Sequence, residues 1–324
     1  MSESPAVTVV VPTLDEEADI AECLERLQRQ TLRDFEVLVA DGGSRDRTRE
    51  LVERVSDGDD RVHLLDNPRR LQSAGLNRAL AVAQGAVVVR LDARSFVDDD
   101  YLQRCVDLLA ETGAANVGGR MEPREGTTTV ERGIALANRS PWGAGPARFH
   151  GSGASGPADT VYLGAFDRRW LEKVDGWAED VGVNEDFELN HRIRAAGGVV
   201  WFDASLIVGY QPRTSLRALA RQYFRYGRSK ATVLRRHPSS VRPRQVAPMT
   251  LVPLGLAALA PGRLGRLARM ALAGHAAGVA AAASRTREPA GVRAAAAVAA
   301  LVMHWSWSIG TVFGAARPFP SARR

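Results

Sequence analysis

The fold is decided by residues 35–48, which read FEVLVADGGSRDRT. The first six are mostly branched or aromatic apolar residues with little polar alternation, which is typical of a strand covered by helices on both faces. The pair Gly42 and Gly43 indicates a tight turn, and Ser44 or Asp46 is suited to begin a helix. A buried strand that runs through a glycine turn into a helix is the repeating unit of an α/β protein.

The same unit repeats through the first third of the chain, where short apolar runs alternate with stretches that carry apolar residues at helical spacing. The predicted strands are Val7–Val11, Phe35–Ala40, Val62–Leu65 and Ala86–Leu91. The predicted helices are Glu16–Gln30, Arg47–Val55, Gln72–Ala83 and Asp98–Ala110. This order predicts an α/β fold with an open, mostly parallel, doubly wound sheet, whose ligands bind beyond the carboxyl ends of the strands.

Acidic residues follow these strands and should meet at one edge of the sheet. Asp41 follows the second strand and Asp92 follows the fourth. Clustered acids are tolerated when a cation or a basic ligand lies among them. The first strand lacks the Gly-x-Gly-x-x-Gly turn of dinucleotide-binding proteins, which disfavours an NAD-dependent enzyme. The structural alternative is that Thr13 and Asp15 cap the first helix.

A further acidic group lies at residues 182–189, which read GVNEDFEL and precede another predicted helix. As a structural element, Asn184 would cap this helix while Glu185 and Asp186 interact with its dipole. As a functional element, Asp186 would act as a general base that removes a proton from a hydroxyl group.

Four features occur in order: VVVPTLDEE at 9–17, VADGGSRDRT at 39–48, Asp92, and Asn184-Glu185-Asp186. Together they resemble family 2 glycosyltransferases, which have the GT-A fold and bind nucleotide-sugars. Within that family the runs DTVYLGAF, RQYFRYG and RRHP, at 159–166, 221–227 and 235–238, are most similar to exopolysaccharide enzymes of the succinoglycan-biosynthesis type. The resemblance covers about residues 6–240.

The resemblance implies an inverting transfer of a sugar, with a hexose favoured, from a nucleotide-sugar that by analogy is a UDP-sugar. It assigns Asp186 as the catalytic base, with Glu185 beside it to position the acceptor. The residues that it assigns to nucleotide-sugar binding are Pro12, Thr13, Glu16, Asp41, Asp92, Gln222, Arg225 and Tyr226. Among these, Asp92 stands at the first position of the family's Asp-x-Asp motif, and the last three resemble a Gln-x-x-Arg-Trp element with Tyr in place of Trp.

One position departs from the family pattern, because Arg94 stands where the second acid of the Asp-x-Asp motif is expected. A divalent cation needs oxygen ligands, which arginine cannot supply. Either Mg²⁺ or Mn²⁺ is held by Asp92 with diphosphate oxygens and water, or Arg94 partly replaces the cation. We expect a weak metal dependence. The alternative function is a catalytically impaired nucleotide-binding or regulatory protein at the membrane.

The formal charge is +6, and arginine is concentrated after position 210. Arg213, Arg217, Arg221 and Arg225 recur every four residues and therefore share one face of a predicted basic helix over residues 213–236. This face is either solvated or drawn to an anionic membrane surface, where a lipid-linked glycan acceptor would also be found. Nucleic acid is not expected, since no recognition module accompanies the charge.

Beyond residue 240 the chain is alanine-rich and apolar, so we predict two parts: a GT-A domain over 1–240 and a membrane-associated helical region over 241–324. The apolar segments are Val246–Ala260, Met270–Ser284 and Ala294–Ala316. Only the third reaches the roughly 20 residues that span a bilayer. We expect helices resting on or embedded in the cytoplasmic leaflet; a soluble helical pack or a dimer interface is the alternative.

Two cysteines, both within helical patterns, and an N-terminal stretch without a signal-peptide pattern favour a reducing cytoplasm. No pair of histidines has metal-ligand spacing. The sequence does not specify an oligomeric state.

Overall fold

The computed structural model describes residues 4–150 and 153–316. Its strands are β1 (Val7–Thr13), β2 (Phe35–Asp41), β3 (Val62–Asp66), β4 (Val87–Arg90), β5 (Ser95–Val97), β6 (Asn116–Pro123), β7 (Gly156–Pro157), β8 (Tyr162–Asp167) and β9 (Val200–Tyr210). Its helices are α1 (Ile20–Gln28), α2 (Thr48–Ser56), α3 (Gln72–Leu80), α4 (Tyr101–Thr112), α5 (Thr129–Asn138), α6 (Arg168–Lys173), α7 (Glu185–Ala195), α8 (Leu216–Arg236), α9 (Pro243–Met249), α10 (Leu251–Ala257), α11 (Gly262–Ser284) and α12 (Ala290–Ala315).

The strands form one mixed sheet in the order β3-β2-β1-β4-β8-β6-β9-β5, with β7 on β9. The first four strands are parallel, and the register places Thr13 opposite Asp41 and Val10 opposite Arg90. β1 and β2 are buried along their whole length, which explains their continuous apolar runs. The predicted α/β sheet is confirmed, and its parallel half coincides with the four predicted strands. The other half is built of antiparallel pairs.

The contacts divide the chain into two compact units. The first contains residues 4–122 and 153–210, hence the sheet with α1 to α4, α6 and α7. The second contains residues 123–150 and 211–316, hence α5 and α8 to α12. This division of the chain differs from the one predicted at residue 240, because α5 and α8 both pack against α12 and therefore belong to the second unit. Residues 317–324 of the predicted helical region, and residues 1–3 and 151–152 of the predicted GT-A domain, lie outside the described residues.

The helices of the second unit have their own apolar core of Ile134, Leu219, Val279, Ala299 and Met303. Among the described helices, α12 alone is long and apolar enough to cross a bilayer by length and composition, a property that buried helices of soluble proteins can share. The predicted segment Val246–Ala260 is split between α9 and α10, and the predicted basic helix begins at Leu216, with the Ser215 side chain as its N-cap.

Glycine allows α8 and α12 to touch backbone to backbone. A Cβ atom added to Gly227 on α8 would lie 2.0 Å from the carbonyl oxygen of Trp307, and one added to Gly310 on α12 would lie 2.1 Å from that of Phe224. These distances are far below van der Waals contact, so neither position accepts a larger residue unless the helices separate.

We therefore expect Gly310→Ala to destabilise the protein by about 1–3 kcal/mol, the usual cost of overpacking. The control is Gly274→Ala on α11, where a Cβ would meet nothing within 4 Å and helix propensity favours alanine by up to about 1 kcal/mol. Denaturant unfolding of both variants measures the difference. Equal stability of the two variants would contradict the close α8–α12 contact.

Candidate active site

The loops after β1 and β2 are joined by hydrogen bonds at the carboxyl edge of the sheet. The backbone amides of Asp15 and Glu16 donate to the hydroxyls of Ser44 (2.9 Å) and Thr48 (2.8 Å), and the Arg45 amide donates to the Asp15 carboxylate (2.8 Å). α1 consequently begins at Ile20, not at Glu16 as predicted. The structural alternative in which Thr13 and Asp15 cap that helix is wrong, because these residues hold the neighbouring loop instead.

Asp41, at the end of β2, has a buried carboxylate that its own loop surrounds. It accepts hydrogen bonds from the Gly43 amide (2.9 Å), from Ser44 and from Arg49 (3.0 Å). Burial alone would raise the pKa of Asp41, but these donors lower it below its ordinary value. The Thr13 hydroxyl lies 3.5 Å from the same carboxylate. Asp41 thus fixes the loop as an ionised anchor, and its contact with a nucleobase stays a prediction.

Pro12 and Thr13 are buried in the last two positions of β1. Because β1 lies between β2 and β4, Asp41 at the end of β2 and Asp92 two residues after the end of β4 lie at the same edge, on strands about 10 Å apart. The structure therefore brings the predicted donor-binding residues of the first unit to one side of the sheet.

The centre of the site is Arg90, the last residue of β4, which sequence analysis did not identify. Its guanidinium is buried and contacts three carboxylates: Asp92 at 3.1 Å, Glu185 at 3.0 Å and Asp186 at 2.5 Å. Burial opposes the charge of Arg90, but the three acids keep its pKa above the ordinary value. Arg90 thereby joins the predicted donor-binding acid to the predicted base, which lies 96 residues further along the chain.

The three carboxylates differ in their access to solvent. The side chains of Asp92 and Asp186 are 33% and 23% exposed, whereas that of Glu185 is 6% exposed. Burial raises the pKa of Glu185, and Arg90 acts against this rise. Asp186 also accepts a hydrogen bond from the indole of Trp177 (3.2 Å). Asp186 is therefore a partly exposed carboxylate held from two sides, whereas Glu185 is buried against Arg90, and the catalytic roles of both residues stay predictions.

Trp177 is itself fixed in place. Asn77 on α3 accepts a hydrogen bond from its backbone amide and donates to its carbonyl, both at 2.8 Å. Its ring packs edge-on against Phe166 of β8, with the ring centroids 5.5 Å apart. Asn184 occupies the N-cap position of α7, and its side chain makes no capping hydrogen bond. The next two residues, Glu185 and Asp186, lie in the first turn of α7 and contact Arg90.

Arg94 is engaged by acids of the first loop. Its guanidinium lies 2.7 Å from Glu16 and 3.5 Å from Asp19. Burial raises the pKa of Glu16, and the contact with Arg94 lowers it in part. The expected second metal ligand is therefore replaced by the cationic side chain of Arg94, which links the loop after β4 to the loop after β1 through Glu16.

Few side chains near Asp92 could bind a divalent cation. The described residues contain no group of three or more His, Cys, Asp or Glu side chains that could hold a metal ion. Asp92 contributes one carboxylate, of which Oδ1 accepts from Arg90 and from Gln72 (3.1 Å). The residues therefore fit a cation that takes one protein ligand and completes its coordination with ligand oxygens and water, and they do not fit one enclosed by protein.

Comparison with known proteins identifies the family. Residues 8–174 match the family model described as Glycosyl transferase family 2. The succinoglycan biosynthesis protein ExoA of Rhizobium meliloti (strain 1021) is 35% identical over 326 residues, covering 95% of this chain and 94% of that protein. The chain belongs to glycosyl transferase family 2. It is an inverting glycosyltransferase with the GT-A fold.

Two more distant proteins show how far the likeness extends. The dolichyl N-acetyl-alpha-D-glucosaminyl phosphate 3-beta-D-2,3-diacetamido-2,3-dideoxy-beta-D-glucuronosyltransferase of Methanococcus voltae is 22% identical over 71% of this chain and 74% of its own. Among solved structures, the mannosyltransferase PcManGT of Pyrobaculum calidifontis, in complex with GDP-Man and Mn²⁺, has a TM-score of 0.61 and 23% identity, covering 97% of this chain and 88% of its own. The latter supports the fold.

Gln222, Arg225 and Tyr226 lie on α8 in the second unit. The Gln222 amide donates to the Tyr226 hydroxyl at 2.9 Å. Arg225 lines a cavity of that unit together with Arg213 and Arg221. A role for these three residues over the donor diphosphate stays a prediction.

Arg90→Lys tests whether Arg90 positions the catalytic groups. Lysine keeps the charge but cannot span three carboxylates, so Asp92 and Asp186 should move apart. Because a displacement of about 1 Å can cost about 100-fold in rate, we expect a loss of that order in kcat. The control is Arg61→Lys, since Arg61 binds Asp59 at 2.8 Å just before β3, at the opposite end of the parallel strands from the three acids. Thermal unfolding is measured in parallel; if both variants lose stability but Arg90→Lys keeps wild-type kcat, Arg90 is only structural.

Proposed function

We propose that this enzyme transfers a hexose from a UDP-sugar to a membrane-associated, lipid-linked glycan during polysaccharide biosynthesis. The observation that supports the proposal is the junction at Arg90, which holds two partly exposed carboxylates side by side: Asp92, the proposed donor-side acid, and Asp186, the proposed base. Both carboxylates are present and accessible, which favours an active enzyme over a catalytically impaired nucleotide-binding protein. The likeness to ExoA supports polysaccharide biosynthesis as the setting.

In the proposed reaction, the Asp186 carboxylate removes the proton from an acceptor hydroxyl. The hydroxyl oxygen then forms a bond to the anomeric carbon of the donor sugar as the bond from that carbon to the diphosphate breaks. The nucleoside diphosphate leaves with the electron pair, and one displacement inverts the anomeric centre. Arg90 and Trp177 keep Asp186 oriented, which is the main requirement for such positioning catalysis.

The donor would lie along the carboxyl edge of the sheet. Pro12, Thr13 and Glu16 are proposed to line the base and ribose pocket, and Asp41 to recognise the base. Asp92 would face the ribose and diphosphate, and Gln222, Arg225 and Tyr226 would contribute from the second unit. Positive charge aimed at the leaving diphosphate stabilises the transition state.

The decisive experiment is donor hydrolysis and transfer by the full-length chain with a panel of UDP- and GDP-sugars. GDP-sugars are included because PcManGT carries GDP-Man. Asp186→Asn should lower turnover by about 10²–10⁴-fold, the usual contribution of a general base, while UDP or GDP binding is unchanged. Asp107→Asn, at an exposed position on α4, is the matched control. Wild-type turnover in Asp186→Asn would remove that residue from the base role.

We propose that Asp92 would hold Mg²⁺ or Mn²⁺ together with the bound donor, and that the cation would supply positive charge to the leaving diphosphate. Because Arg94 provides no ligand, the dependence on metal should be weak. Treatment with a chelator should lower kcat only in part, and Arg94→Asp, which restores a second carboxylate, should reduce the Mn²⁺ concentration needed for half-maximal activity. Full activity after exhaustive chelation would exclude the cation from the reaction.

Association with the cytoplasmic face of the membrane is part of the proposal. The apolar helix α12 and the dolichyl phosphate in the name of the Methanococcus relative support it. The excess of arginine after residue 210 would add attraction to anionic lipids of about 1 kcal/mol per residue near the surface.

A further inference from the structure

The second unit contains an open cavity of about 670 Å³, a size usual for small-molecule sites. It lies between α8 and α12, whose backbones touch at Gly227 and Gly310. The residues that line it are Arg213, Ala218, Ala220, Arg221, Phe224, Arg225, Ser306 and Ile309. One part of this lining is cationic and the other is apolar.

Two arginines of the cationic part, Arg221 and Arg225, lie in a segment of the chain that is poor in acids. Residues 211–324 contain 19 lysines and arginines and a single acid, Glu288. Glu288 is occupied by Arg132 at 2.9 Å and by Arg139 at 3.1 Å. None of the ion pairs among the described residues involves Arg221 or Arg225. Guanidinium groups in this state suit a phosphate or diphosphate, whose oxygens they bind in pairs.

The apolar part of the cavity continues onto the surface of α12. Phe224 packs edge-on against Phe313, with ring centroids 5.7 Å apart. Ile309, Val312 and Phe313 are spaced three and four residues apart on one face of α12 and are 38%, 42% and 56% exposed. Ile309 belongs both to the cavity and to this face. An apolar path therefore leads from the arginines out along α12.

We propose that this cavity binds the phosphate or diphosphate head of an aliphatic lipid, the anchor of the glycan acceptor, with the start of its chain on Phe224, Ile309 and Phe313. The inference rests on the proposed function and specifies its acceptor; it assigns Arg221 to the lipid head and leaves Arg225 to the donor diphosphate, as proposed above. A soluble nucleotide would use the arginines but leave the apolar path exposed to water. A lipid phosphate uses both parts, because charge lies at one end of the cavity and the apolar face at the other.

The test is calorimetric titration of the full-length chain with three probes: farnesyl diphosphate, inorganic diphosphate and farnesol. Farnesyl diphosphate should bind at least about tenfold more tightly than either fragment, since it alone engages both parts. Arg221→Gln should weaken its binding about tenfold, as expected for one lost charge-assisted hydrogen bond. The matched control is Arg266→Gln, which removes the same charge from an exposed position on α11 outside the cavity and should change affinity less than twofold.

Two results would overturn the proposal. Equal loss in Arg221→Gln and Arg266→Gln would mean that the general positive field attracts the ligand, and equal affinity for diphosphate and farnesyl diphosphate would mean that the apolar path is not used. Circular dichroism melts show whether each variant is folded. Hydrolysis of nucleotide-sugars by the wild-type chain is measured separately, so that failure of the proposed transferase activity is distinguishable from failure of lipid binding.

Discussion

A guanidinium buried at the end of a strand is unfavourable unless acids surround it, and Arg90 is such a group. Removing one partner from a buried ion pair typically costs about 3–5 kcal/mol, because the other charge is left without compensation. Arg90 therefore requires Asp92, Glu185 and Asp186 to stay where they are. This requirement ties the end of β4 to the beginning of α7. Asp92 and Asp186, the proposed donor-side acid and base, consequently occupy a fixed geometry.

The surrounding residues depend on this junction. Trp177, held by Asn77, supports Asp186 from the other side. Arg94 closes the β1 loop through Glu16, in the position where a metal-binding acid would otherwise stand. The protein thus places two arginines, Arg90 and Arg94, near the proposed diphosphate site. This charge distribution gives a physical reason for the weak cation requirement that we propose.

Much of the fold could be predicted because the parallel strands are buried on both faces, which leaves a continuous apolar signature. The acids at their ends were predictable for the same reason, since parallel strands finish on one edge. The role of Arg90 was not predictable, because it depends on contacts with residues up to 96 positions away in the sequence. An arginine closing the valine run of β4 was the available signal. The first helix was predicted to begin too early, since residues 15–17 form hydrogen bonds with the neighbouring loop instead. The second unit was not predicted, because it joins α5 to helices that follow it by about 80 residues or more in sequence.

The central claim is that Arg90 couples the donor side of the site to the base. A double-mutant cycle of Arg90→Lys and Asp186→Asn, read out as the dissociation constant of the most tightly bound nucleotide-sugar, measures that coupling directly. Because Asp92 and Asp186 share the guanidinium of Arg90, the Asp186→Asn substitution should alter the effect of Arg90→Lys on nucleotide-sugar affinity. The account predicts a coupling free energy of at least about 0.5 kcal/mol, the range for residues in one network. Additive effects within about 0.3 kcal/mol would show that Asp92 and Asp186 respond to Arg90 independently, and would contradict the account.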